Sequence, residues 1–161
     1  MLVATRREQV SRGSVALVCS NSEAMTDATS HPPFEQLDYV YMPSRDVASD
    51  VGYFVETVGS RLIFAIEAMG TRVAMLELAP GPPRLLLTDH LAGDWPILVY
   101  RVGSLELAMR DLENHGWQRG TTIEIPQGPC CSFQARGGQR LAIYELARPE
   151  VEQHFVGRRD F

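Results

Sequence analysis

The side chains able to do chemistry in this chain are few and scattered. There are four histidines, three cysteines and five tyrosines in 161 residues. His90 closes an apolar run in Thr88-Asp89-His90. That placement suits a general base or a ligand handle, and equally a plain turn histidine. His115 ends a helical stretch, where the helix dipole favours a cation and is explanation enough. His31 and His154 fall outside the patterned body of the sequence. Cys130 and Cys131 open a strand-like run, so one faces each side. They read as two small buried hydrophobes; a reactive thiol would need an electropositive neighbour. No CxxC, Cys/His cluster, Ser/His/Asp arrangement or glycine-rich phosphate loop stands out. An odd cysteine count without a framework spacing points to a reducing, cytoplasmic home.

The bulk composition narrows the classes further. An apolar fraction of 45% and a charged fraction of 22% are ordinary for a globular protein of one domain plus a tail. The formal net charge is -5 and like charges do not run together. A nucleic-acid partner would want a basic stripe, so none is expected. No apolar run approaches the ~20 residues of a membrane span, so no membrane partner is expected. Val15 to Cys19 follows arginines but is too short for the apolar stretch of a signal peptide. Residues 1–35 read as a flexible N-terminal segment, Ser/Thr/Asn/Pro-rich from Ser20 to Pro33. Two readings of its start stay open: a native beginning at Met25, with residues 1–24 an upstream reading, or a genuine, loosely ordered tail.

The elements that must position the polar groups follow from periodicity. Leu37 to Met42 is a strand carrying Tyr39 and Tyr41, ended by Pro43. Asp46 to Val58 is helical, with Val47, Val51, Phe54, Val55 and Val58 on one face. Ser44 or Asp46 serves as its N-cap and Gly59 as its C-cap. Three strands come next, over Arg61–Ala68, Arg72–Leu78 and Arg84–Thr88, punctuated by Gly70 and Pro80-Gly81-Pro82-Pro83. Then the order repeats. Ile97 to Val102 is a strand, Ser104 to His115 a helix capped by Gly116, and strands follow at Trp117–Ile125, Cys130–Gln134 and Arg140–Glu145. Gly59 maps onto Gly116, Val47 onto Leu105 and Gly70 onto Gly128, an offset of 57 or 58 residues. The unit is βαβββ, written twice. Neither copy can bury both a helix and a sheet face alone, but two packed together can.

Several segments resemble the vicinal-oxygen-chelate (glyoxalase/bleomycin-resistance) superfamily. Leu37-Asp38-Tyr39-Val40-Tyr41-Met42-Pro43-Ser44-Arg45-Asp46-Val47 is similar to the family's opening L-D-H-V-x-L-x-V-x-D-L. Tyr53 to Gly59 resembles F-Y-x-x-x-L-G, Ile97 to Leu105 resembles H-I-A-F-x-V-x-D-L, and Ala135 to Glu145 resembles D-P-D-G-N-x-I-E-L-x-E. The likeness spans about residues 36–147, and its strength lies in the order and spacing of the segments. It implies an α+β fold in which modules 36–90 and 95–147 curl into a cup-shaped mixed sheet with the helices outside. Residues 148–161 form a C-terminal tail. Its Phe155 and Phe161 suit docking, on its own domain or on the partner in a homodimer, or else the end frays.

Family members that use a divalent metal take ligands from the first, fourth, fifth and eighth strands. The matching positions here are Tyr39, Ile97 and Ala142, and the fourth strand, Arg84–Thr88, has no carboxylate. A hard cation needs several converging oxygen or imidazole donors, so the resemblance implies no metal and no other cofactor. With Tyr39, Ile97 and Ala142 facing inward as the resemblance implies, strand alternation adds Tyr41, Arg101, Arg140 and Tyr144 to the cup, with His90 near its mouth. Aromatic walls with a guanidinium suit an aromatic or anionic small molecule. The competing reading makes the tyrosines mere strand formers and pairs Arg101 with Glu67, Glu77 or Glu124. The first expectation of function is metal-free binding or sequestration of a small molecule. The alternative is an isomerase or lyase that works without metal, or with one not recognised here, using His90, Tyr39 or Glu145 as acid or base. A third is an interaction module whose cup is packed shut. A carboxylate or imidazole reaching into the cup is the mark of the isomerase or lyase, and the absence of a cavity that of the interaction module.

Overall fold

The computed structural model describes residues 33–161, so the proposed start at Met25 and nearly all of the N-terminal segment lie outside the described residues. The elements are β1 (Phe34–Pro43), α1 (Val47–Glu56), β2 (Arg61–Ala68), β3 (Thr71–Glu77), β4 (Arg84–Thr88), β5 (Ile97–Val102), α2 (Leu105–Asn114), β6 (Thr121–Ile125), β7 (Gly128–Gln134) and β8 (Arg140–Glu145), then a 3-10 turn over Pro149–His154. Two βαβββ modules are present in the predicted order. Asp46 is the cap of α1, its side chain accepting from Ser49 N at 3.1 Å. Ser104 caps α2 in the same way through Leu107 N. Gly59 and Gly116 follow the helices at φ +78° and +84°, a left-handed turn that a side chain would strain.

All eight strands form one sheet in the order β2-β3-β4-β1-β5-β8-β7-β6. Within each module the first and last strands pair in parallel, β1 with β4 and β5 with β8, across the intervening helix. The modules join through β1 and β5, antiparallel, with Tyr39 opposite Val99 and Tyr41 opposite Ile97. β6 is shorter than expected. It starts at Thr121; Trp117 N instead bonds back to Leu112 O at the end of α2, and the Trp117 ring packs edge-on against Phe133, 5.1 Å between centroids.

Three apolar layers result. Under α1 lie Val47, Ala65, Ala74, Leu76, Leu85 and Leu87. Under α2 lie Val102, Leu105, Ala108, Met109, Cys131 and Ile143. The third layer lines the concave side: Tyr39, Ile63, Phe64, Met75, Val99, Cys130, Ala142 and Tyr144. Cys130 and Cys131 therefore face opposite sides, as strand alternation requires. Among the described residues, no helix is long and apolar enough to cross a membrane.

The tail docks on its own domain. Phe155 packs on Phe64 at 5.7 Å between ring centroids. Beyond it the chain runs beside β2, an edge strand: Gly157 N bonds Ile63 O, Ala65 N bonds Arg158 O, and Asp160 N bonds Ala65 O, at 2.8–2.9 Å. Arg159 adds bonds to the carbonyls of Leu62 and Ile63. This strap satisfies an edge that would otherwise offer unpaired backbone groups. Phe161 ends against the layer under α1, with the Arg72 guanidinium 5.1 Å from its ring centroid.

Ile143 is fully buried between β8 and α2. Ile143→Ala should lower unfolding stability by about 2–5 kcal/mol, read as a shift in the urea midpoint with an unchanged slope.

Candidate functional site

The concave side leaves a cavity of about 300 Å³ between the sheet and the strap. Its polar wall is built by Gln36, Asp38, Tyr39, Arg84, Arg101 and Tyr144 from four different strands, and by Glu152 from the 3-10 turn. Three of the expected site residues, Tyr39, Arg101 and Tyr144, meet here. Tyr41 and His90 lie elsewhere: the Tyr41 hydroxyl and His90 Nε2 are 2.8 Å apart, and His90 Nδ1 is 2.7 Å from Thr88 Oγ1. Tyr41 does face the concave side, two residues along β1 from Tyr39, but its hydroxyl serves the end of β4 and not the cavity. Arg140, also expected in the cup, turns away and donates to the carbonyls of Ala92 and Trp95, tying down the loop between modules. Glu145 is spent on the N-terminus of α2, where it accepts from Leu105 N at 2.9 Å.

Two carboxylates that the strand pattern did not single out reach the cavity. Strict alternation would put Asp38 on the face opposite Tyr39. A register shift between Leu37 and Tyr39 in the β1–β5 ladder undoes that, and both consecutive residues line the cup. No sequence signal marks this bulge. Glu152 was out of reach of pattern reading because it arrives on the tail.

Each carboxylate is paired with a phenol and a guanidinium. The Tyr144 hydroxyl donates to Asp38 Oδ2 at 2.5 Å, and Arg101 Nε lies 3.7 Å from the same oxygen. Asp38 Oδ1 accepts no hydrogen bond from a described residue. Arg101 also bonds Gln36 at 2.9 Å and approaches Glu35 at 3.5 Å, so its partners are these and Asp38, not Glu67, Glu77 or Glu124. The Tyr39 hydroxyl donates to Glu152 Oε2 at 3.1 Å, and Arg84 forms an ion pair with the other oxygen of that carboxylate. The two tyrosine rings lie 6.0 Å apart, so the pairs share one wall.

Burial is the main reason that the Tyr39 and Tyr144 phenols are pushed well above the ordinary value of 10.0, with the neighbouring carboxylates adding to it. Tyr41 is raised too, chiefly by burial. All three stay neutral at physiological pH. Burial likewise raises the Cys130 thiol to about 11, which fits an inert apolar filler. A second hollow, about 370 Å³, lies beyond the ends of β1 and β4, beside Ser44, Asp89, Leu91 and Asp94. Its Arg45 and Asp94 side chains are almost fully solvated, 3.9 Å apart, and its one buried polar side chain, Ser44, spends its hydroxyl on Asp50 Oδ2 at 2.6 Å.

No family model and no curated protein matches the sequence. Solved structures do. Methylmalonyl-CoA epimerase from Mycobacterium tuberculosis superposes with a TM-score of 0.59 at 19% identity, over 73% of this chain and 91% of that one. A selenomethionine methylmalonyl-CoA epimerase gives 0.62 at 14% identity, over 73% and 99%. A hypothetical protein from Bacillus halodurans gives 0.60 at 15%, over 70% and 95%. The chain has the vicinal-oxygen-chelate fold. The positions that the resemblance matches to metal ligands are Tyr39, Ile97 and Ala142, with the fourth strand, Arg84–Thr88, offering no carboxylate. The structure puts Arg84 on that strand directly beside Tyr39. A fixed guanidinium, a phenol held neutral and two alkyl groups do not fit a divalent cation. Among the described residues no three His, Cys, Asp or Glu side chains converge as ligands.

The raised phenols make stability depend on alkali. Their folded values exceed the unfolded one, so their contribution is complete below pH 10 and is lost as pH rises toward the folded values. The melting temperature should fall beyond pH 10, and less steeply in Tyr39→Phe, when melts are followed by circular dichroism from pH 8 to 11.5.

Proposed function

We propose that the cup is the active site of an isomerase that moves a proton on a small carbon acid without a metal. The carrying observation is Asp38: a buried carboxylate on the cavity wall with one oxygen engaged by Tyr144 and the other unbonded among the described residues. Such a group is oriented by its engaged oxygen and can take a proton with the other. The electrons of the broken C–H bond pass into the substrate carbonyl. Charge building on that oxygen is met by the Arg84 guanidinium and the neutral Tyr39 hydroxyl once Glu152 has left them. Protonated Asp38 then returns the proton to a different position of the delocalised anion. The fold supports the same class of chemistry, since its solved neighbours include methylmalonyl-CoA epimerases, one of them in complex with methylmalonyl-CoA. A cavity of about 300 Å³ suits a short acyl group, with any larger carrier left outside.

Binding without turnover is the second reading. It is favoured by the ion pairs that already engage both carboxylates, Asp38 with Arg101 and Glu152 with Arg84. Deuterium exchange separates the two. The protein is incubated in D2O with methylmalonyl-CoA and a panel of short α-substituted acyl thioesters and 2-oxo acids, and label at carbon is read by mass spectrometry. Exchange is expected with at least one, and Asp38→Asn should slow it on the order of 10²-fold or more. No exchange across the panel, with binding retained, would leave sequestration as the function.

A further inference from the structure

The strap does more than cover an edge. It is tied at both ends of the segment 149–156 and held loosely between them. At the near end Arg148 donates to the carbonyls of Ile125 and Pro126 at 2.7 Å and pairs with Glu124. At the far end the bonds of Gly157, Arg158 and Asp160 fix the chain to β2. The intervening 3-10 turn has no side-chain cap, and none of its residues is buried. Short 3-10 turns have little stability of their own. Two side chains hold it down: Phe155 on Phe64, and Glu152 on Tyr39 and Arg84.

The Glu152 contact has the chemistry of ligand recognition. One carboxylate accepts from a neutral hydroxyl and a guanidinium on the wall of the main cavity, and its side chain keeps 22% of its exposure. Arg84 has a second acidic neighbour, Glu77 at 3.9 Å, so its charge keeps a partner when Glu152 leaves. The ion pair keeps some contact with solvent and sits on a short turn with no side-chain cap, and a free carboxylate offers the same oxygens to the same donors.

We infer that Arg84 and Tyr39 form a carboxylate subsite, and that Glu152 fills it in the free protein as an internal ligand. A small carboxylate with an apolar body takes the place of Glu152, and the 149–156 segment lifts between its two fixed ends. The apolar body lies against Tyr144 and Leu146, which line the same cavity. This inference rests on the cup being the binding site, but not on any proton transfer within it.

Calorimetric titration of the full chain with benzoate, and with neutral benzamide as control, tests it. Benzoate should bind Glu152→Gln at least tenfold more tightly than the parent. Glu150→Gln, which removes the same charge from an exposed position on the strap, should match the parent. Arg84→Gln should lose at least tenfold, and benzamide should not distinguish Glu152→Gln from the parent. In the parent, saturating benzoate should speed amide exchange over 149–156 while leaving 157–160 protected. Equal benzoate affinity in the parent and Glu152→Gln overturns the displacement, as does unchanged exchange in the strap. Failure of benzoate, propionate and succinate to bind either protein overturns the subsite, and the parent and Glu152→Gln decide this even if Arg84→Gln does not fold. Turnover is not read here, so a protein inactive in D2O exchange can still pass.

Discussion

Pairing of β1 with β5 is the constraint on which the rest of the molecule depends. It makes two modules into one sheet, and it fixes which side chains stand across from each other along the central seam. Each module's helix covers the outer face of its own half, leaving a single concave inner face that neither helix can reach. That face carries Phe64, Met75, Val99 and Tyr144, too much apolar surface to leave wet. The C-terminal strap is the local solution. Phe155 covers the open side of the concave layer, and residues 157–160 complete the hydrogen bonding of β2.

The polar chemistry of the cup follows from the same seam. A register irregularity in β1 puts Asp38 and Tyr39 side by side on the concave face. Parallel pairing of β1 with β4 sets Arg84 against Tyr39, and parallel pairing of β5 with β8 brings Tyr144 beside Arg101. The result is two carboxylate–phenol–guanidinium groups on one wall. In a desolvated setting each charge requires its opposite and each phenol a hydrogen-bond partner. The groups hold one another in place, and burial keeps the phenols protonated.

The chain's own tail both runs along an edge strand and supplies part of the cavity wall, through Pro149 and Glu152. The tight hydrogen bonds lie at the two ends of the strap, while its middle is held by one ring contact and one charged side chain. Stability so distributed permits local opening without loss of the domain.

The amino-acid pattern alone determined the modules, their order and most strand limits, because side-chain periodicity and glycine punctuation are local and each copy reinforces the other. The resemblance put Tyr39 on the concave face, and alternation from Ile97 and Ala142 put Arg101 and Tyr144 there, since the β5–β8 ladder runs without a break. Alternation gave no account of Asp38, which a bulge turns inward, nor of Arg140, which is drawn to loop carbonyls. Tyr41 and His90 satisfied each other at the end of β4, a pairing between residues 49 positions apart that periodicity does not encode. Glu152 could be placed only by the tertiary structure, because its position depends on where a tail of unpatterned sequence finds an uncovered strand edge and an uncovered apolar face. Element identity is written in neighbouring residues; convergence of charges from distant segments is decided by packing, where desolvation selects the pairs that survive.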